Sequence, residues 1–260
     1  MERSELLMGL PERIEIMGAG VDPWTMEQTV DAARRYIDAG EFAHLIGVNA
    51  DKLLQMRDDP WMTDCVNGCE VVNTDGASMV MAAKKLGVDI PGRVAGIDLM
   101  SELCNLAAAH KYPVYLLGAK PEVVEKTAAE LSRVYDGMPL AGYRDGYFSD
   151  DEWAQVAAAV RDSGSKIIFV GITSPKKERL IEYFRQQGLK GVFVGVGGSF
   201  DVISGMIPRA PMWMQNANLE WLFRMMQEPG RLVKRYVVGN TRFLWMLRGE
   251  RRKMKREGVR

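Results

Sequence analysis

The sequence predicts an α/β protein with a mainly parallel, Rossmann-like sheet flanked by helices, followed by a basic amphipathic helical appendage. Short apolar runs alternate with segments of helical periodicity along most of the 260 residues. Nearly every run stops at a glycine or an asparagine, which are residues typical of turns. Lys and Arg are concentrated from residue 224 onwards, and this concentration predicts the appendage. We therefore expect an α/β domain over 1–212 and a C-terminal helical appendage over 213–260.

The individual elements follow from these patterns in chain order. We expect strands at 14–17, 44–48, 70–73, 114–117, 166–170 and 192–194, and helices at 23–39, 51–57, 76–86, 101–110, 121–135 and 175–187. The first of these helices is amphipathic and carries Thr25, Glu27 and Gln28 early, while the last begins with Pro175. Ligands bind at the carboxyl ends of parallel strands, so we expect functional residues in the turns that follow the strands.

The glycine-rich turn 195–198 is the most informative of those turns. Its glycines are Gly195, Gly197 and Gly198. Without Cβ atoms the backbone turns sharply and approaches a ligand closely, and exposed N–H groups before a helix cradle a phosphate. We expect Ser199 or Asp201 to cap the next helix. A tight strand-to-helix turn without a ligand is the alternative.

Composition and charge restrict the class of protein. The formal net charge is +0, yet residues 224–260 hold an excess of Lys and Arg, which favours a polyanionic neighbour such as a membrane surface or a nucleic acid. No apolar run has the roughly 18–20 residues of a membrane-spanning helix. Three cysteines and a start without a secretory pattern predict a reducing compartment. Cys65 and Cys69 have a spacing that suits metal ligands on a helix, but no third ligand lies nearby in the sequence, so we expect no metal site.

Several polar residues at the predicted strand ends are candidates for chemistry. Asp75 precedes Gly76 and is the best candidate for a general base, the alternative being a cap of the helix that follows. Cationic side chains are candidates for phosphate binding, with a solvated surface charge as the alternative: Arg93, Lys176, Lys177 and Arg209. We expect His44 and His110 to be structural.

Three common ligand motifs are missing. No Asp-x-Asp triplet offers a carboxylate pair for a divalent ion on a diphosphate. Neither Gly18-Ala-Gly20 nor Gly195-Val-Gly197 has the third glycine of a dinucleotide fingerprint, and a Walker-type loop is absent too. We therefore expect no cofactor, and an oxidoreductase is disfavoured.

In combination these motifs resemble the WecG/TagA/CpsF family of bacterial envelope glycosyltransferases, glycosyltransferase family 26. The order and spacing of several motifs agree at once over about 13–236: Asn49-Ala, Asp75-Gly, Arg93-Val-Ala-Gly-Ile-Asp98, Ser174-Pro-Lys, Gly195-Val-Gly-Gly-Ser-Phe-Asp201, Arg209-Ala-Pro, Leu219-Glu-Trp-Leu-Phe-Arg224, Glu228-Pro and Arg231.

The resemblance implies an inverting, metal-independent transfer of a sugar, N-acetylmannosamine or another hexose, from a UDP-sugar to a polyprenyl-diphosphate-linked sugar. The acceptor places the protein at the cytoplasmic face of the membrane, with the anionic bilayer as a partner of the appendage and a second copy of the chain as a further candidate partner. Asp75 would then be the base that deprotonates the acceptor hydroxyl.

The resemblance also implies roles for other residues. Asn49, Arg93 and Asp201 fall on active-site positions, and Arg224 and Arg231 fall on arginines that close over the site and meet the diphosphate. Lys234 or Arg235 takes a third such position. Lys177 replaces a common Gln, and Gly47 replaces a common Thr, both near the expected donor sugar, so the identity of the donor stays open.

Two functions compete on the residues alone. One is the membrane-associated UDP-sugar transferase, and the other is a nucleotide-binding module without transferase activity whose basic tail binds nucleic acid. The apolar run 243–247 between Arg242 and Arg248, with Trp213, Trp221 and Trp245 in the same region, suits a lipid interface better than a nucleic acid. A helix packed on the core with a solvated end is the alternative for this run.

Overall fold

The structure, a computed structural model, describes residues 2–217, 219–227 and 229–256, except the side chains of Asn216, Arg231, Lys234 and Arg235. The strands are β1 (Ile14–Ile16), β2 (Ala19–Val21), β3 (Phe42–Val48), β4 (Val71–Thr74), β5 (Val114–Gly118), β6 (Leu140–Arg144), β7 (Ile167–Gly171) and β8 (Gly191–Gly195). The helices are α1 (Arg3–Leu6), α2 (Met26–Asp38), α3 (Ala50–Asp58), α4 (Pro60–Asn67), α5 (Ala77–Leu86), α6 (Gly96–His110), α7 (Pro121–Val134), α8 (Trp153–Asp162), α9 (Lys176–Gln186), α10 (Ser199–Ile203), α11 (Met212–Asn216), α12 (Glu220–Gln227) and α13 (Pro229–Arg256).

Strands β3 to β8 form a parallel sheet in the order β4-β3-β8-β7-β5-β6, while β1 and β2 pair separately as an antiparallel ribbon. The predicted α/β class with a mainly parallel sheet is therefore confirmed. From β3 the chain moves outward to β4, and it later returns to place β8 on the other side of β3. All six strands are parallel, so β3, β4 and β8 end at the same edge of the sheet, and ligands bind at that edge in folds of this kind.

Both faces of the sheet are covered by helices, because successive strand residues point to opposite faces. Leu45 and Phe169 belong to the core cluster shared with α2, α6 and α7. Ile46 packs with α3, α4, α5 and α13 on the opposite face, where Ile168 packs with α8 and α9. Continuous burial of this kind explains why the strands are apolar runs rather than alternating patterns.

The sequence patterns missed α1, β2, α4, β6 and α8. Strand β6 lies at the edge of the sheet, and its residues are half-buried or exposed, so it lacks the apolar run that identifies a central strand. The predicted cap of α10 is also wrong. The N-cap residue is Gly198, and the Ser199 hydroxyl donates to the carbonyl of Val196 within the turn instead.

The segment predicted to be an appendage packs on the helices of the sheet through α13. The side chains of Phe243 and Leu247 are buried in the core cluster of α3, α4 and α5, and the Arg242 guanidinium pairs with Asp58 of α3 at 2.8 Å. The apolar run 243–247 is therefore divided, since Leu244 and Trp245 are exposed. Within the described residues, no helix combines the length and apolarity needed to cross a membrane.

Candidate active site

The catalytic candidates gather at the carboxyl edge of β3, β4 and β8. Asp75 directly follows β4, and its backbone N–H donates to the carbonyl of Val48, the last residue of β3, at 2.8 Å. Asn49 follows β3, and the glycine turn follows β8. Neighbouring parallel strands end at the same edge, so residues that are far apart in sequence become neighbours there.

Asp75 does not cap a helix. Helix α5 has Gly76 as its N-cap residue, with φ of 85° and no side-chain hydrogen bond to the cap. The amide of Asn49 instead lies beside the Asp75 carboxylate and favours its ionised form. The same side chain also caps α3, because its Oδ1 accepts a hydrogen bond of 3.0 Å from the backbone N–H of Lys52. The first turn of α3 thus holds the Asn49 amide beside the carboxylate.

Partial burial raises the pKa of Asp75, because a carboxylate that has lost part of its contact with water is less stable in its charged form. Four groups act in the opposite direction and favour the ionised form: the charges of Arg224, Arg93 and Lys177 and the amide of Asn49. The carboxylate therefore lies among three predicted cationic site residues. A carboxylate with a raised pKa is a stronger proton acceptor than one in water.

The backbone of Gly47 packs against the side chain of Asp75. A Cβ atom at position 47 would lie 3.0 Å from Cβ of Asp75 and 3.5 Å from its Oδ2. A side chain there would press on the carboxylate, so the glycine gives Asp75 room next to β3. The replacement of the family's common Thr therefore changes the contacts of Asp75.

Lys177 crosses the end of β8. The Cδ, Cε and Nζ atoms of its side chain lie 2.8 Å from the place that a Cβ of Gly195 would occupy. Its ammonium is 3.4 Å from Oε1 of Glu178, a buried carboxylate that also accepts a bond of 2.7 Å from Lys52. The nearby cations, Lys177 first, hold the pKa of Glu178 at about 2 against the effect of burial. Glu178 thus anchors both lysines beside the site.

The glycine turn takes the expected shape. Gly197 has φ of 52°, a conformation that favours glycine. A Cβ of Gly198 would lie 3.5 Å from Oδ2 of Asp201, which belongs to the first turn of α10. The turn therefore brings the carboxylate of Asp201 close to its own backbone at this edge.

Helix α12 connects the appendage to the site through ion pairs. Glu220 accepts a hydrogen bond of 2.8 Å from Arg93, and its other oxygen is 3.7 Å from Nε of Arg209. The guanidinium of Arg209 also donates to Asp98. Arg224, one helical turn after Glu220, is the cation that acts most strongly on Asp75. Helix α12 therefore presents a carboxylate and a guanidinium to the same edge.

The structure brings most of the predicted residues together and leaves others outside its description. Asn49, Arg93, Lys177 and Arg224 surround Asp75 as described above. The side chains of Arg231, Lys234 and Arg235 lie outside the described part of the chain, and so does Glu228. Their roles stay predictions.

Sequence reasoning missed Lys52 and Glu178 and did not single out Glu220 from its motif. Lys52 donates to Gln55, Ser174 and Glu178, and it lies 126 residues from the last of these in the chain. The sequence does contain one indication of this pair, because both charged residues lie on the apolar faces of their helices. Lys52 lies beside Leu53 and Met56 in α3, and Glu178 lies before Ile181 in α9. A charged residue at such a position needs a buried partner.

The arrangement provides a carboxylate base, cations for an anionic substrate and a glycine turn at one edge. Comparison with known families agrees with this chemistry. Residues 14–257 match the model of the glycosyl transferase WecG/TagA/CpsF family, which covers nearly the whole chain.

Proposed function

This chain belongs to the WecG/TagA/CpsF glycosyltransferase family, and from that membership and the site geometry we propose that it transfers a hexose from a UDP-sugar to a polyprenyl-diphosphate-linked sugar. The observation that carries the proposal is the environment of Asp75. Its carboxylate has a raised pKa, lies at the carboxyl edge of β3 and β4 and is surrounded by Asn49, Arg93, Lys177 and Arg224. A base in a cationic site suits a reaction between a hydroxyl group and an anionic donor.

In the proposed reaction the Asp75 carboxylate takes the proton of the acceptor hydroxyl while that oxygen attacks the anomeric carbon. The bond from the anomeric carbon to the UDP oxygen breaks, and the single displacement inverts the configuration. Negative charge grows on the leaving diphosphate, and Arg93, Arg224 and Lys177 are the cations that would stabilise it. Arg209 and the N–H groups of the glycine turn are further candidates for this role.

The proposed transfer does not use a metal, because cationic side chains meet the charge of the leaving diphosphate. Turnover should therefore continue in excess EDTA after the protein has been dialysed against it. Loss of turnover that magnesium or manganese restores would overturn this part of the mechanism and leave the family membership intact.

The appendage supports a lipid-linked acceptor. Most of the exposed large apolar residues of the described chain lie between 206 and 245. On α13 they form one face: Val233, Val237, Val238, Leu244 and Trp245. A surface groove of about 480 Å³ beside this face is lined by Leu244 and Trp245 together with Lys85, Arg248 and Arg251. Apolar residues edged by cations suit the interface of an anionic bilayer.

The direct test is turnover of a panel of UDP-sugars on a synthetic polyprenyl-diphosphate-linked N-acetylglucosamine acceptor. We expect one donor to be preferred and UDP to be released in equal amount to the glycosylated lipid. UDP should also raise the melting temperature, since a ligand of the native state stabilises it, whereas NAD should not. Stabilisation by NAD alone, without turnover of any UDP-sugar, would reject the proposal.

A further inference from the structure

Two cysteines outside the catalytic edge form a cluster with a histidine. His44 lies within β3, Cys65 in the last turn of α4 and Cys69 just beyond that helix. One donor atom of each residue lies within 4.8 Å of the others, and Sγ of Cys69 is 3.2 Å from Nδ1 of His44. The sequence predicts no metal site because the cysteine pair has no third ligand nearby. That reason is wrong, because the fold brings β3 against the pair.

The spacing of the three donor atoms suits a single tetrahedral ion. With metal–sulfur bonds of about 2.3 Å and metal–nitrogen bonds of about 2.0 Å, neighbouring ligand atoms lie about 3.5–3.8 Å apart. The distance of 3.2 Å between Sγ of Cys69 and Nδ1 of His44 is near these values, and the remaining separations of at most 4.8 Å need only a small approach of the ligands. Two thiolates and one imidazole are also the ligand types that zinc and related thiophilic ions prefer.

The surroundings of His44 suit a ligand imidazole. His44 is buried, and its Nδ1 faces the thiol of Cys69. With Nδ1 toward the thiols, the ring proton lies on Nε2, which is buried without a hydrogen-bond partner among the described residues. The carboxylate of Glu178, whose Oε2 is likewise buried and unpartnered, is the charge that acts most strongly on the ring.

The partial exposure of Cys65 and the charges around the cluster are compatible with the entry of a divalent ion. Cys69 is buried, whereas Cys65 is half-buried, so its side of the cluster is open to solvent. The ammonium of Lys52 is a positive charge near Cys65. Two thiolates cancel the charge of a divalent ion, so an ion bound by them adds no net charge beside this lysine.

We propose that Nδ1 of His44, Sγ of Cys65 and Sγ of Cys69 bind one zinc-type ion, with solvent as the fourth ligand. The site is separate from the proposed transfer reaction. His44 precedes Val48 by four residues along β3, which corresponds to about 13 Å, and Val48 is the residue that binds the backbone of Asp75. The ion would tie α4 to β3 and stabilise the folded chain.

The test uses the full-length chain, free of affinity tags, reduced and stripped of metal. Cobalt(II) is the probe, because thiolate ligation gives it a charge-transfer absorption band in the near ultraviolet. We expect one cobalt per chain, a band whose intensity corresponds to two thiolates, displacement by zinc and a rise in melting temperature with zinc. Thiol titration beforehand verifies that the cysteines are reduced, because a Cys65–Cys69 disulfide would block the site.

Two variants make the test specific. Cys65→Ser changes the half-buried ligand and should weaken cobalt binding at least tenfold and reduce the band. Cys104→Ser is the matched control, because Cys104 is buried in the cluster on the opposite face of the sheet, and it should bind as the parent does. Reduced parent protein that binds less than one equivalent, binds without the thiolate band, or binds equally well as Cys65→Ser would overturn the proposal.

Discussion

The partial burial of Asp75 has two opposite effects. It destabilises the folded state when the carboxylate is ionised, and it makes the carboxylate a stronger base. Its pKa is raised chiefly by burial, so the folded chain holds a proton at this carboxyl more tightly than the unfolded chain does. The stability that this group contributes is present below its ordinary pKa and is lost as the pH rises through the raised value. At neutral pH the ionised carboxylate therefore lowers the free energy of unfolding.

Asp75→Asn should lower turnover by roughly 10²-fold or more, the usual scale for removing a general base. The same change should leave the melting temperature unchanged or raise it at neutral pH, because it replaces a partly buried carboxylate with a neutral amide of similar shape. The difference in melting temperature from the parent should shrink as the pH falls and the carboxyl protonates. Turnover and thermal melting across a pH series test both parts. A folded variant with nearly normal turnover would contradict the assignment of the base.

Turnover of the parent enzyme should fall on the acid side as Asp75 protonates. Because its pKa is raised, this loss should begin at a higher pH than that of an ordinary aspartate with a pKa of 3.8. The pH profile of kcat/KM measures this limb directly. A flat acid limb down to pH 4 would mean that Asp75 stays ionised or takes no part in the reaction.

Lys177→Gln restores the residue that is common in the family and removes a cation that lies across Gly195. We expect a changed ranking of UDP-sugars or weaker UDP binding, because the ammonium either selects a donor with a carboxylate or contacts a phosphate. Lys176→Gln is the matched control, since the neighbouring ammonium binds the carbonyl of Phe148 and stacks on its ring instead. Equal behaviour of both variants would make Lys177 an ordinary surface charge.

At the scale of single elements, α12 is held at the site by the pair between Glu220 and Arg93. Glu220→Gln removes the charge of that pair and should loosen the docking of α12, which also carries Arg224 toward Asp75. A charge-assisted hydrogen bond contributes about 1.5–3 kcal/mol, so we expect kcat/KM to fall at least tenfold. Amide hydrogen exchange in α12 should become faster at the same time, which a change in the active site alone would not cause.

The control for this prediction is Glu130→Gln, which breaks an exposed pair with Arg133 inside α7. Exposed pairs contribute little, so neither turnover nor exchange in α12 should change. If Glu220→Gln also leaves both quantities unchanged, α12 is positioned by its apolar contacts and not by Glu220.

The elements also differ in how well the sequence predicts them. The central strands were predicted correctly because burial on both faces makes each an apolar run between glycines. The positions of Asn49, Asp75 and Lys177 at one edge could be predicted because the ends of parallel strands share that edge, while their roles stay predictions. The pairs of Lys52 with Glu178 and of His44 with Cys69 depend on contacts across the sheet and its helices, which local patterns do not encode. Strand β6 was missed because its exposed edge position leaves little apolar signal.

At the scale of the whole molecule, charge and apolar surface are concentrated in the same segment. The chain has a formal net charge of +0, yet its C-terminal segment is basic and carries the exposed apolar face of α13. The sequence also suggests that truncation after Gly239 would leave the fold intact. Phe243 and Leu247 are buried in the core, so that truncation would remove packing and would not test membrane binding cleanly.

A double variant, Leu244→Gln and Trp245→Gln, changes only the exposed residues of the apolar run 243–247 and leaves its buried side chains in place. It should keep the melting temperature, lose sedimentation with vesicles that contain phosphatidylglycerol, and lose activity mainly on long-chain acceptors. A double change of Met8 and Val134 to Gln is the control, because it removes two exposed apolar residues from the α/β domain.

Basic residues near an anionic surface contribute about 1 kcal/mol each, and salt screens them, so raised salt should weaken vesicle binding of the parent. Unchanged sedimentation of the Leu244/Trp245 variant would reject the membrane role of α13, and tight binding of RNA in place of vesicles would favour the nucleic-acid alternative.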